Sequence, residues 1–470
     1  MRLLVLVALV GLVALVACSS DESASSCATA ADCAGDRCVN GMCVPRDAGS
    51  LADRALDTSL DTSVDVGADA AVDSALADAA AADSAVADAG FDAPPVPLVD
   101  PFGARFDDAF PVFAAGRGSG STFVFGRDRS PAQQALAAAF EGEDIAWALS
   151  LGGPSNDQFL AGAADRELAL GAGITRNPTF GGDDVLVAFF DRTGLVSAAH
   201  LGDDARDIAF DADLRGRTAF LAGQNGARPG IWITDFDDAF AAVLQTPEPA
   251  TFRGVAASET AVYAVGQDDD PGSAYIAAFR ADDASPLWAR SLRIDEDPLA
   301  LVDVAVDDSV VAVGVAGARG VRLEFSLDGE LRAAGFTTIG QFRQVELIEG
   351  RSRYIGVVGG RAAVFADAGG GRLVGYRTSV RGPGTAGRHL DDGVFVANNT
   401  GESVDLTRVV LLTINADDRP SCEVDEELTG FFEAVPVSRE PVGAERVTTS
   451  VETFALSSSE VESAPLAACP

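Results

Sequence analysis

After residue 102 the chain repeats one short pattern, three apolar residues closed by a residue able to take a positive φ. The copies are Phe123-Val124-Phe125-Gly126, Leu168-Ala169-Leu170-Gly171, Phe220-Leu221-Ala222-Gly223, Tyr263-Ala264-Val265-Gly266, Val311-Ala312-Val313-Gly314 and Gly356-Val357-Val358-Gly359. A seventh, Phe395-Val396-Ala397-Asn398, carries Asn, the commonest substitute for Gly in the left-handed region. Successive steps are 45, 52, 43, 48, 45 and 39 residues. A fixed period of this size is that of a propeller blade, and it limits the fold to architectures built from one repeated unit.

Within each period the residues read as strands. Val185 to Phe190, Tyr275 to Phe279 and Val321 to Phe325 are apolar runs that lead into Asp/Gly turns, the signal of a hairpin. Further strands are predicted at Ile145 to Leu149, Val196 to Leu201 and Leu287 to Leu292, and before the marker at Asp207 to Asp211 and Asp303 to Asp307. Four strands per period make a blade, and blades stacked radially leave few open edges. The expected fold is therefore all-β, a β-propeller of about seven four-stranded blades over 101–420. Six or eight blades follow if a terminal repeat is misassigned, and a pair of β-sandwiches is the structural rival.

Trp147-Ala148-Leu149-Ser150-Leu151-Gly152-Gly153, with Gly181-Gly182-Asp183-Asp184 ahead of Val185 to Phe189, resembles the bacterial SBBP-type β-propeller repeat. The resemblance spans roughly residues 120 to 210 and fades toward the C-terminus, where the Gly-Gly-Asp element is lost.

Composition narrows the chemistry. In 470 residues there are 34 Lys+Arg, all of them Arg, against 71 Asp+Glu, a formal charge of −37. Phosphates would be repelled, which excludes nucleic acid as a partner. Without lysine there is no phosphate-loop amine, Schiff base or Lys-activated serine. His200 and His389 are the only histidines, so the usual general base and metal ligand are scarce.

The N-terminus reads as an address. Met1-Arg2 precedes an apolar run from Leu3 to Ala17, too short for an ordinary bilayer span but ordered as a secretory signal. Its end, Leu15-Val16-Ala17-Cys18, resembles a bacterial lipobox, which implies a signal peptide over 1–17 and lipidation of Cys18. Acyl chains on Cys18 would hold the chain to a membrane at about 0.8 kcal/mol per buried methylene. Ser19 in place of an inner-membrane retention Asp implies, by the same resemblance, the outer membrane.

An exported chain lets the other six cysteines pair. Cys27, Cys33, Cys38 and Cys43 lie in a segment (18–46) too small to bury a core, so two disulfides would hold it, and three pairings stay open. The segment resembles short Cys-rich modules that follow lipoboxes in myxobacterial surface proteins. Zinc is the alternative, but these spacings lack close C-x-x-C pairs. Cys422 and Cys469 are expected to pair and pin the tail, 421–470, onto the propeller. Between the Cys-rich module and the propeller lies an Ala/Asp-rich linker, 47–100. Asp53, Asp57, Asp61, Asp65, Asp69 and Asp73 recur every fourth residue, which in a helix would stack like charges. An extended, self-repelling stalk is expected, reaching roughly 40 Å as a coil.

Adjacent acids such as Asp183-Asp184, Asp203-Asp204, Asp282-Asp283, Asp391-Asp392 and Asp417-Asp418 read as turn chemistry rather than acid/base pairs. Gly116-Arg117-Gly118-Ser119-Gly120 lacks the lysine and helix of a phosphate loop. Trp147, Trp232 and Trp288 sit at strand positions suited to packing between blades. No catalytic residue, cofactor or metal is expected. The sequence reading is a monomeric lipoprotein whose propeller binds a protein or glycan without catalysing a reaction. Its rivals are a hydrolase or lyase of envelope polysaccharide and a passive spacer.

Overall fold

The computed structural model of the chain describes 37–39, 42–44 and, with short gaps, 102–467. The chain divides into two compact units, Met1–Gly90 and Phe91–Pro470. The first is described only in a two-stranded antiparallel pair, β1 (Arg37–Val39) and β2 (Met42–Val44), whose register sets Cys38 opposite Cys43.

The second unit is all-β: every element assigned in it is a strand, and the strands form several antiparallel sheets. It begins with β3 (Phe102–Phe106) and then builds the same four-strand meander again and again. The first meander is β4 (Val112–Arg117), β5 (Ser121–Arg127), β6 (Ala135–Glu141) and β7 (Asp144–Gly152). The second is β8 (Asp157–Asp165), β9 (Leu168–Asn177), β10 (Gly182–Asp191) and β11 (Gly194–Gly202). The third is β12 (Asp207–Arg215), β13 (Thr218–Asn225), β14 (Arg228–Thr234) and β15 (Ala239–Gln245). The fourth is β16 (Ala250–Ala257), β17 (Ala261–Asp268), β18 (Ala274–Arg280) and β19 (Pro286–Arg293). The fifth is β20 (Leu299–Val306), β21 (Val310–Ala316), β22 (Arg319–Phe325) and β23 (Leu331–Thr337). The sixth is β24 (Gln341–Ile348), β25 (Arg351–Val358), β26 (Arg361–Asp367) and β27 (Arg372–Arg381). Three strands follow, β28 (Thr385–Arg388), β29 (Phe395–Asn399) and β30 (Arg408–Thr413). β3 pairs with β30, so the first strand of this unit completes the last meander, and β28 runs beside β4.

Successive meanders pack face to face, which explains the unbroken apolar runs. In Val185–Phe190, alternate residues point to opposite faces. Leu186, Ala188 and Phe190 join Phe123, Phe125 and Ala137 of the first meander, while Val185, Val187 and Phe189 join Ala209, Leu221 and Trp232 of the third. A strand buried on both faces reads as a continuous hydrophobic run instead of an alternating one. Phe125, Phe159 and Phe190 are fully buried and pack edge-on or tilted, with centroids 5.7 to 5.9 Å apart. Each such ring removed from water stabilises the stack by about 1.5–3 kcal/mol.

The first strand of each of the six complete meanders carries a bulge at the same place, opposite a glycine. That glycine is required by close approach: a Cβ on Gly223 would lie 1.8 Å from the carbonyl oxygen of Ile208, and one on Gly356 2.0 Å from that of Gln341. The sequence marker coincides with this position at Gly126, Gly223, Gly266 and Gly314. In the second and sixth meanders the structural position is Gly173 and Gly356, and not the marker's Gly171 and Gly359.

The C-terminal segment was expected to be a tail pinned by a Cys422–Cys469 bridge. Both cysteines lie outside the described residues, and the strands between them do something the sequence did not suggest. β31 (Val424–Ala434) pairs with β27 and then with β23. β32 (Ser438–Pro441) pairs with β19, β33 (Gly443–Val447) with β15, and β34 (Ser450–Thr453) with β11. β35 (Ser457–Glu460) pairs with β7 and β36 (Ser463–Ala467) with β3. The segment therefore visits the meanders in reverse order and adds one antiparallel strand to the last strand of each, covering edges that would otherwise expose unpaired amides.

Candidate site on the first strands

The first strands of neighbouring meanders pack side by side in series. The bulge in each pushes one residue out of register, and Leu160, Phe210, Arg253, Val302 and Arg343, the described residues so displaced, are half-buried. The guanidinium carbon of Arg253 lies 4.3 Å from the centroid of the Phe210 ring, a cation–π contact between adjacent meanders. Burial pulls the Arg253 guanidinium below its ordinary pKa, with Asp269 opposing, and burial does the same to Arg343. The Arg343 Nε has no hydrogen-bond partner. Of these two desolvated guanidinium groups, Arg253 is the one stacked on an aromatic ring, while Arg343 lies on the first strand of the sixth meander.

Carboxylates one residue past the bulge lock the strands together. Asp211 Oδ2 accepts the Val255 N–H at 2.7 Å, and Asp303 Oδ2 accepts the Val345 N–H at 2.8 Å.

Most acids at turns cap backbone amides, as the sequence implied. Asp191 accepts from the Thr193 N–H and hydroxyl, Asp203 from the Ala205 N–H, Asp235 from the Asp237 and Asp238 N–H groups, and Asp283 from Ser285. Asp184 is the exception and corrects that reading. It lies on β10 with no exposed surface, and neither of its oxygens has a hydrogen-bond partner. Its neighbour Asp183 takes both nearby arginines, Arg206 at 2.8 Å and Arg176 at 3.4 Å. Asp207, also without exposed surface, accepts the Asn225 Nδ2–H at 2.7 Å and the Asp203 N–H at 3.1 Å. Burial, reinforced by Asp207, Asp183 and Asp203, pushes Asp184 up to about 7. Burial and the Asp203 charge raise Asp207 to about 7 against the pull of its two hydrogen bonds.

Of the residues singled out in the sequence, Cys18, Cys27, Cys33, Cys422, Cys469 and His389 lie outside the described residues, as do Asp391-Asp392 and Asp417-Asp418. His200 sits on β11 between Leu186 and Glu452 in register, and burial drives its imidazole down to about 4. Gly116 and Arg117 are the last two residues of β4, within a strand and not in an entry ahead of one. The tryptophans pack. Trp147 donates to the Arg192 carbonyl at 3.2 Å and Trp288 to the Leu327 carbonyl at 3.0 Å, each reaching the hairpin of the next meander. Trp232 is fully buried. The bulge residues were missed in the sequence, and the signal that locates them is the glycine opposite.

No family model matches the chain, and no curated protein does. Among solved structures, the chain is similar to a Bacteroides uniformis protein described as a 6-phosphogluconolactonase, with a TM-score of 0.40 and 12% identity over 73% of this chain and 100% of that one. It is also similar to a prolyl endopeptidase structure, with a TM-score of 0.40 and 15% identity over 70% of this chain and 49% of the other. A Bacteroides ovatus protein described as a dipeptidyl aminopeptidase IV gives a TM-score of 0.28 and 10% identity over 67% of this chain and 51% of its own. The chain thus spans about half the length of the two peptidases.

Proposed function

We propose that the meanders close into a seven-bladed β-propeller, carried on an acidic stalk by lipid on Cys18 at the outer membrane, and that it is a monomeric, non-enzymatic binding module. Pairing of β3 with β30 supports closure, because the first strand then seals the last blade. The observation that carries the binding reading is Arg253 over Phe210, with Arg343 further along the same row of first strands. In a ring these residues line the central channel, where an anionic group of a glycan or protein would meet two poorly solvated guanidinium groups.

The test uses the full chain with Cys18→Ser, purified without its acyl anchor. Titration with polygalacturonate and with uncharged dextran is expected to show binding of the anionic polymer alone, lost in Arg253→Ala/Arg343→Ala. Cleavage of the polymer by the unmutated domain overturns the non-enzymatic reading. Absence of binding to either polymer favours a spacer. Labelled palmitate incorporation, abolished by Cys18→Ser, tests the anchor.

A further inference from the structure

We propose that Asp184 and Asp207 form a binding site for a hard divalent cation, Ca²⁺ in the first instance, in the space above Gly202. The two carboxylates converge there: the point a Cβ on Gly202 would occupy lies 2.7 Å from Asp184 Oδ1 and 2.8 Å from Asp207 Oδ2. Glycine at this position keeps the space between the two oxygens open. A buried carboxylate with no hydrogen-bond partner is costly unless a proton or a cation neutralises it. The cations within reach are committed elsewhere, since Arg206 and Arg176 both lie on Asp183.

The preceding meander provides an internal control. There Gly152 occupies the equivalent position, and a Cβ on it would lie 2.5 Å from Asp157 Oδ2 and 2.8 Å from Gln134 Oε1. Asp157 accepts from the Thr175 hydroxyl, as Asp207 accepts from Asn225. The architecture is the same with an amide in place of the second carboxylate, and an amide can satisfy Asp157 without an ion. The fold therefore does not require a carboxylate at 184. Oxygen donors alone select Ca²⁺ or Mg²⁺ over softer metals, and a flexible shell favours Ca²⁺. Among the described residues no group of three or more His, Cys, Asp or Glu is placed to hold a metal. Two carboxylates would then be completed by carbonyl and water oxygens, giving a weak site with Kd on the order of 10⁻⁴–10⁻³ M, as in extracellular calcium modules.

Asp184→Gln, which copies the arrangement at Gln134, tests this in the full chain with Cys18→Ser. Calorimetric titration with CaCl₂ and thermal melts in chelator and in millimolar Ca²⁺ are read for both proteins. The acidic stalk is common to both, so its diffuse calcium binding cancels. The wild type is expected to bind one Ca²⁺ more than Asp184→Gln and to melt several degrees higher with Ca²⁺, while the variant does not shift. Asp207→Asn, a second variant, is expected to lose the same ion. An equal response of wild type and Asp184→Gln overturns the proposal. So does the absence of saturable binding in the wild type, which would leave the two carboxylates sharing a proton.

Discussion

Asp303 Oδ2 accepts the backbone N–H of Val345 from the next meander at 2.8 Å, the same bond that Asp211 makes to Val255 at 2.7 Å. Both amides belong to fully buried residues on first strands, where the side away from the meander has no ladder partner. A carboxylate from the neighbour supplies one.

Removing that acceptor leaves a buried N–H unsatisfied. Asp303→Ala and Asp211→Ala are each expected to cost about 1–3 kcal/mol, measured as a lower midpoint of thermal or urea unfolding. Asp237→Ala, at an exposed turn, is the control and is expected to stay within about 0.5 kcal/mol of wild type.

The glycine opposite each bulge gives a sharper contrast. Gly223→Ala would set a Cβ 1.8 Å from a backbone carbonyl oxygen and is expected to abolish soluble folded protein. Gly216, at φ +59 with nothing within 4 Å of its Cβ position, tolerates the same change at a cost of about 1 kcal/mol. Expression yield and circular dichroism distinguish the two.

These glycines also mark how far the sequence can be read. The period was legible because each meander needs one glycine at a fixed place, and at Gly223, Gly266 and Gly314 that glycine directly follows the apolar triplet. In Leu168-Ala169-Leu170-Gly171-Ala172-Gly173 and Gly356-Val357-Val358-Gly359 two glycines lie close together, and only backbone register decides between them. Arg253 and Arg343 were missed as site residues because a bulge adds one residue to a strand, and its only trace in sequence is the glycine on the partner strand. Asp184 looked like half of a turn pair, and its burial depends on the meander that follows it. The pairing of the encircling strands was illegible for a different reason, although Arg446 to Leu456 reads as strand-like. Ser438–Pro441 is exposed along its whole length, so it has no alternating pattern and forms a strand only because the edge of β19 is there to pair with.

Titration follows from the shifted groups, with opposite signs. Asp184 and Asp207 stand at about 7 in the folded chain against an ordinary 3.8. The folded state thus holds more protons than the unfolded one between about 4 and 7, and stability falls as pH rises through that window. His200, lowered to about 4 from 6.5, reverses the balance: the unfolded state gains the proton first, and stability falls as pH drops from 6.5 to 4. In chelator, Asp184→Gln is expected to raise the melting midpoint at pH 8 and to leave it nearly unchanged at pH 4.5. His200→Gln is expected to reduce the loss on acidification.

The encircling strands predict a further contrast. Glu445 on β33 accepts from Arg228 and from Gln245, each at 3.0 Å, but both contacts are exposed. Glu445→Ala is expected to cost no more than about 1 kcal/mol. Ending the chain at residue 436 uncovers the last strands of several meanders at once, and light scattering is expected to show concentration-dependent association that Glu445→Ala does not cause.

The most direct measurement is a cysteine cross-link between the two ends of the array. Ala104 on β3 lies opposite Val409 on β30. In the full chain carrying Ala104→Cys and Val409→Cys, peptide mapping under non-reducing conditions is expected to recover the 104–409 disulfide as the main product. Recovery of both positions as free thiols in folded protein would contradict closure of the ring.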